Sequence, residues 1–142
     1  MANGQELNVN DIQVQRAGNE GFSHNEINPD NEKNRMIQLW ILPEDEEAPA
    51  SYQMFHAEAG KRMRVYGGPT DQDDTFAART VVDIAHVNAG DKVSQSGRSL
   101  VYMVLGQGAC EQEKIEEGDL VETRDFNFKA STDCKLILVS EI

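Results

Sequence analysis

A chain of 142 residues with a formal net charge of -12 is long enough for one domain with a core, or for one domain and a fragment of another. The acidity argues against nucleic acid as a direct partner, because no basic stripe is present to displace phosphate counterions, and it repels anionic membranes. No apolar run reaches the ~18 residues needed to span a bilayer, and the start, Met-Ala-Asn-Gly-Gln-Glu, lacks the basic and apolar regions of a signal peptide, so the expected compartment is the cytoplasm.

In chain order, residues 5–16 place apolar side chains at Leu7, Val9, Ile12 and Val14 with a slip of register at Asn10-Asp11, which predicts two short strands joined by a turn. Residues 17–29 form a tightly punctuated stretch, in which Gly18 and Gly21 permit sharp turning and Asn28-Pro29 ends an extended segment. Residues 36–42, Met-Ile-Gln-Leu-Trp-Ile-Leu, form the most apolar run of the chain and predict a strand buried on both faces, with Trp40 as its packing anchor. Residues 43–50 hold four consecutive acids between two prolines; without the central glycine and spaced oxygens of a calcium loop, they read as a solvated connector. Strand-like segments then recur every ten residues or so: Tyr52 to His56, Met63 to Tyr66, Thr80 to His86, Lys92 to Ser94, Leu100 to Leu105, Leu120 to Glu122, Phe126 to Phe128 and Lys135 to Val139. A turn signal stands at nearly every junction, and Asp71 to Arg79 can hold a short turn of helix. That spacing predicts an all-β sandwich or barrel. Cys110 and Cys134 are too far apart for a zinc knuckle or redox pair and read as buried thiols.

The candidate site is His24 with Glu26. One residue apart on an extended backbone, the two side chains leave the same face, and an imidazole nitrogen beside a carboxylate oxygen suits iron, manganese, nickel, copper or zinc. The competing reading is a solvated polar face. His56 and His86 read as surface or hydrogen-bonded structural residues.

Three segments together carry a family likeness: Gly21-Phe22-Ser23-His24-Asn25-Glu26-Ile27-Asn28, then Ile37-Gln38-Leu39-Trp40-Ile41-Leu42-Pro43, then Pro49-Ala50-Ser51-Tyr52. In order and spacing they resemble the pirin family of the cupin superfamily, with Asn25 standing where that family usually has serine. The resemblance implies a tandem of cupin-type antiparallel β-barrels with one divalent metal, usually iron, held in the first by three histidines and a glutamate. His24 and Glu26 match the later two ligands. The earlier two form a His-x-His upstream in family members, whereas residues 1–23 hold no histidine, so the chain resembles a pirin truncated inside its first barrel, with Met1-Ala2-Asn3-Gly4 matching the turn after the absent strands. The expected organisation is a partial first barrel over residues 1–43, an acidic linker over 44–50 and a complete C-terminal barrel over 51–142.

The resemblance further implies metal-dependent flavonol (quercetin) 2,3-dioxygenation, with Glu26 as ligand and proton acceptor, impaired here by the two absent imidazoles. Two alternatives stand beside it: a regulatory module binding protein partners in the manner of a transcription cofactor, and a purely structural barrel. An apolar arm led by Met36 to Leu42 cannot stay exposed without associating, which predicts a homodimer exchanging N-terminal arms.

Overall fold

The computed structural model describes residues 4–142. Of the expected turn at Met1-Ala2-Asn3-Gly4, the first three residues lie outside the described ones. The described residues hold nine strands in chain order: β1 (Asp11–Arg16), β2 (Ser51–His56), β3 (Lys61–Gly68), β4 (Ala78–Val87), β5 (Lys92–Leu105), β6 (Gln107–Cys110), β7 (Glu113–Glu116), β8 (Leu120–Ala130) and β9 (Cys134–Glu141). Among the described residues there is no helix, and every ladder is antiparallel. The helical turn expected at Asp71 to Arg79 is an irregular turn instead. There the Gln72 side chain donates to the carbonyls of Pro69 and Thr75 and accepts from the Thr75 N–H at 3.0 Å, occupying backbone groups that a helix would use.

Seven strands form one sheet in the order β3-β4-β9-β5-β8-β6-β7, and β1 pairs with β2 in a separate ladder. The sheet has one wholly apolar region. On β9 burial alternates, Cys134, Leu136 and Leu138 lying inside while Lys135, Ile137 and Val139 are half-buried on the outer face. Register carries the inner face across the neighbours: Leu136 lies opposite Ala85 of β4 and Met103 of β5, and Leu138 opposite Asp83 and Val101. With Phe126, Phe128, Val93 and Ile115 these residues make the core. Phe126 and Phe128 stack 5.8 Å apart. Cys134 is buried in this core as expected, whereas Cys110 packs against it only partly buried; both are free thiols.

Several segments expected as separate strands are continuous. Lys92 to Ser94 and Leu100 to Leu105 both belong to β5, because Ser96-Gly97 makes a bulge rather than a turn: the ladder to β8 shifts between Gln95 and Arg98, Gly97 takes φ +74°, and its N–H donates to Asp125 Oδ1 at 2.9 Å. The β6–β7 hairpin was not expected as a pair of strands. Its glycine-rich, polar sequence suggests a loop, but β6 is pinned to β8 through Gly108↔Ala130, Ala109↔Lys129 and Cys110↔Phe128.

The N-terminal segment departs most from expectation. Residues 5–16 give one strand rather than two: after a turn in which Asn10 takes φ +72°, only Asp11–Arg16 finds a partner, β2, while Leu7 and Val9 remain exposed. Met36 to Leu42 is neither a strand nor buried. Trp40 is 86% and Leu42 92% exposed, so Trp40 anchors no packing. Among the described residues no neighbouring strand accepts this run's backbone, and burial of an apolar strand requires that pairing. Residues 17–50 instead form an irregular excursion that leaves the β1–β2 ladder at Arg16 and rejoins it at Ser51, its cross-strand partner. Its few ties are polar. Arg35 donates to the carbonyl of Val104 at 3.0 Å, the Tyr102 hydroxyl at 3.2 Å and Glu117 at 2.5 Å. The Arg79 N–H donates to Glu44 Oε1 at 3.2 Å.

Candidate functional site

His24 and Glu26 lie in the irregular excursion, on a backbone that joins no ladder, yet their side chains turn to the same side. His24 Nε2 is 3.3 Å from Glu26 Oε1, and the Phe22 ring stacks on the imidazole at 5.4 Å with a 20° interplanar angle. Spacing of two residues brings all three together, as alternation along an extended chain requires. Turns frame the segment as the glycines suggest: Gly18 and Gly21 take φ +62° and +70°, and the Gly21 N–H closes on the carbonyl of Ala17 at 3.0 Å. After the pair, Asn28 caps the next bend by accepting from the Asp30 N–H at 3.1 Å and donating to the carbonyl of Glu32 at 2.7 Å.

The chemistry of this pair is that of two metal donors or of one hydrogen bond. Two ligands at about 2.1 Å from one ion, at tetrahedral or right-angled positions, stand roughly 3.0–3.4 Å from each other; the observed 3.3 Å satisfies that spacing. The number of donors does not. Among the described residues no group of three or more His, Cys, Asp or Glu is gathered to hold a metal ion. The pair therefore supplies two donors where the resemblance implies four, and no reaction step follows from it alone.

The other histidines serve elsewhere. His56 Nδ1 is 2.7 Å from Asp11 Oδ1, across the ladder position where the two residues are register partners. That hydrogen bond, with a second from the Asn8 N–H, holds the Asp11 carboxyl below its ordinary range. His86 faces outward on β4, opposite Lys135 of β9 and Lys61 of β3, away from the core side occupied by Ala85. Burial, and then the Lys135 charge, push its pKa below the ordinary 6.5, against a smaller opposing pull from Asp133; its Nδ1 is buried without a partner among the described residues.

A second polar constellation lies on the inner face, unrecognised from the sequence. Asp83, buried in the middle of apolar β4, receives Arg62 Nε at 2.8 Å and Arg64 Nε at 3.0 Å on its two oxygens. Arg62 also donates to the carbonyl of Ser94 at 2.7 Å and to the Gln95 side chain. Since β4 and β9 lie between β3 and β5 in the sheet, these bonds show the sheet curling until β3 meets the first half of β5. A signal was available: a lone aspartate inside Val81-Val82-Asp83-Ile84 demands a cationic partner, and Lys61-Arg62-Met63-Arg64 offers two on one strand face.

Comparison with known proteins agrees with the architecture. No protein-family model matches the chain. It is 27% identical over 94% of its length to a protein of Zymomonas mobilis provisionally named a quercetin 2,3-dioxygenase. The bacterial pirin YhhW of Escherichia coli, crystallised in complex with nickel(II), superposes with a TM-score of 0.59 at 15% identity, over 70% of this chain and 47% of that one. A second crystal structure of YhhW gives the same score over 72% and 48%. The chain spans 62% of the curated relative and about half of the solved pirin. The fold is a cupin fold of the pirin type.

Proposed function

We propose that this pirin-like cupin takes part in metal-dependent oxidation of a flavonol, with His24 and Glu26 as the donors it contributes and iron as the metal. The likeness of nearly the whole chain to a protein provisionally named a quercetin 2,3-dioxygenase carries this reading. The two donors held 3.3 Å apart support it. A divalent metal supplies Lewis acidity toward a catechol-like oxygen pair. This chain's own contribution is a carboxylate, Glu26, able to accept a hydroxyl proton, and an imidazole turned to the same side by the Phe22 stack.

The remaining donors have to come from another polypeptide segment. The excursion offers a route: its apolar side chains, Phe22, Ile27, Met36, Leu39, Trp40 and Leu42, are all exposed, and pairing two copies through them would bring two His24–Glu26 pairs together. The same exposed face favours a second reading, a non-catalytic module that binds a protein partner.

Metal content by mass spectrometry on untagged protein, with quercetin consumption followed by absorbance, separates the two. The enzymatic reading expects near-stoichiometric divalent metal and turnover above the buffer rate, with both lost in His24→Ala. Less than about a tenth of an equivalent of metal, with no turnover, overturns it and leaves the binding module.

A further inference from the structure

Residues 36–42 are exposed, but not evenly. Ile37 and Leu39 keep 38% and 49% of their surface and Ile41 is half-buried, while Trp40 and Leu42, which alternate with them, are almost free of cover. A period of two is that of an extended segment with one face turned toward the body of the protein. Both ends of the segment are fixed. Arg35, just before it, reaches the Tyr102 hydroxyl and the Val104 carbonyl of β5 and Glu117 in the turn before β8. Glu44, just after it, accepts from the Arg79 N–H near the start of β4. Among the described residues these are the hydrogen bonds that tie residues 17–50 to the seven-stranded sheet.

The anchors can be placed on the sheet by register. Tyr102 is the partner of Ile137 on β9, and the Arg79 carbonyl accepts from the Ile142 N–H at 3.0 Å. From Ile137 to Ile142 along β9, and across two strand spacings from β5 to β4, the anchors stand roughly 20 Å apart. The chain from Arg35 to Glu44 reaches about 30 Å when extended. The segment is therefore longer than the gap it bridges and arches with slack. Beneath and beside the arch the outer face of the sheet is apolar. Ile137 and Val139 are half-buried there, and Leu100, the partner of Val139, and Leu120, the partner of Tyr102, keep 43% and 67% of their surface.

We propose that residues 36–43 are a strap that closes onto this strip, hinged on Arg35 and Glu44. Closure lays Ile37, Leu39 and Ile41 over Leu100, Tyr102 and Val139 and leaves Trp40 outside. Apolar side chains of strap and strip leave water together, which drives the movement. Cover of one face keeps the strap's peptide groups in water, so closure needs no ladder partner, unlike burial on both faces. The Arg35 hinge is an ion pair with both side chains about half exposed, of the kind that salt screens. The closed strap uses side chains that a second copy would otherwise cover, so closure and self-association through this face exclude each other. It requires neither metal nor flavonol and stands apart from the role proposed for His24 and Glu26.

Disulfide trapping tests the strap in the full chain, at a dilution where the protein sediments as a monomer. With Cys110→Ser removing the partly exposed native thiol, Leu39→Cys combined with Leu100→Cys should form an intramolecular disulfide under oxidised glutathione about tenfold faster than Trp40→Cys combined with Leu100→Cys, whose strap thiol lies on the far face. Adding Arg35→Gln should slow the Leu39→Cys pair about three- to tenfold, because a freed end lowers the effective concentration. Equal rates for the two pairs, disulfides formed only between chains, or a rate unchanged by Arg35→Gln overturn the proposal. Should the cysteine variants fail to fold, the fluorescence anisotropy of Trp40, the only tryptophan of the chain, decides in Leu39→Ser. A fall against the parent supports closure, and an unchanged value overturns it.

Discussion

The strand β9 and the run Met36 to Leu42 are near equals in apolar content and opposites in outcome. In Lys-Leu-Ile-Leu-Val of β9 every second side chain is inside and the others are half-buried, whereas in Met-Ile-Gln-Leu-Trp-Ile-Leu none is buried and Trp40 and Leu42 stand almost fully exposed. The difference lies in their neighbours. β9 lies between β4 and β5, which accept its backbone hydrogen bonds on both edges and continue its inner face with Ala85, Met103 and Val101. Among the described residues the earlier run has no adjacent strand. Apolar side chains therefore bury only where the backbone beneath them is also paired, because the cost of unpaired peptide groups opposes burial of an isolated strand.

The largest expected effect comes from cutting into the paired side of this comparison. Leu136→Ala, at the centre of the sheet, should lose about 2–5 kcal/mol of stability by chemical denaturation. A loss no greater than that of an exposed position would mean that β9 is not the core.

A pH series probes the sheet's outer face, where burial is incomplete. Burial and then Lys135 hold the His86 pKa in the fold below the ordinary 6.5 at which the unfolded chain takes up the proton. The unfolded state thus holds more protons as pH falls through 6.5, so this group makes stability higher at about pH 7.5 than at about pH 5.5. The depressed carboxyl Asp11 adds stability that is lost only as pH drops below its ordinary 3.8, outside this window. Urea midpoints at the two pH values should separate in the parent and draw together in His86→Gln; equal separation in both would remove His86 as the cause.

The smallest effect on stability should come from the unpaired side. Trp40→Ser removes a large aromatic ring that is almost fully exposed, and its unfolding midpoint should match the parent to within about 0.5 kcal/mol. If the excursion mediates self-association, sedimentation of the same variant at micromolar concentration should shift toward monomer. A large loss of intrinsic stability would instead show that the ring is covered.

Legibility in the sequence followed the same division. The β3, β4 and β9 segments could be read because their alternation coincides with burial in the sheet, and the pirin-like motifs anticipated the cupin fold. The β6–β7 hairpin could not, since pairing with β8 makes it a strand pair. Gly108 lacks a side chain where a Cβ would stand 2.3 Å from the Phe128 ring, so a residue resembling loop punctuation is a packing requirement. Periodicity misled at Met36 to Leu42, as it reports what a segment could bury and nothing of what stands beside it. The His24–Glu26 proximity was legible from spacing alone. The Arg62–Arg64–Asp83 group was legible only in part: a lone aspartate in an apolar strand signals a cationic partner, but ladder register between distant segments decides which one.

Arg16 and Ser51 face each other across the β1–β2 ladder, so residues 17–50 form a closed detour whose two feet stand side by side. Closure entropy rises only slowly with loop length, by about 0.6 kcal/mol per doubling. This part of the chain can therefore be lengthened, shortened or rewritten while the ladder beneath keeps its register. A single proteolytic nick within it should leave both fragments associated through the six pairs from Asp11↔His56 to Arg16↔Ser51, which makes the detour a natural place for insertions that alter what the protein meets without altering how it folds.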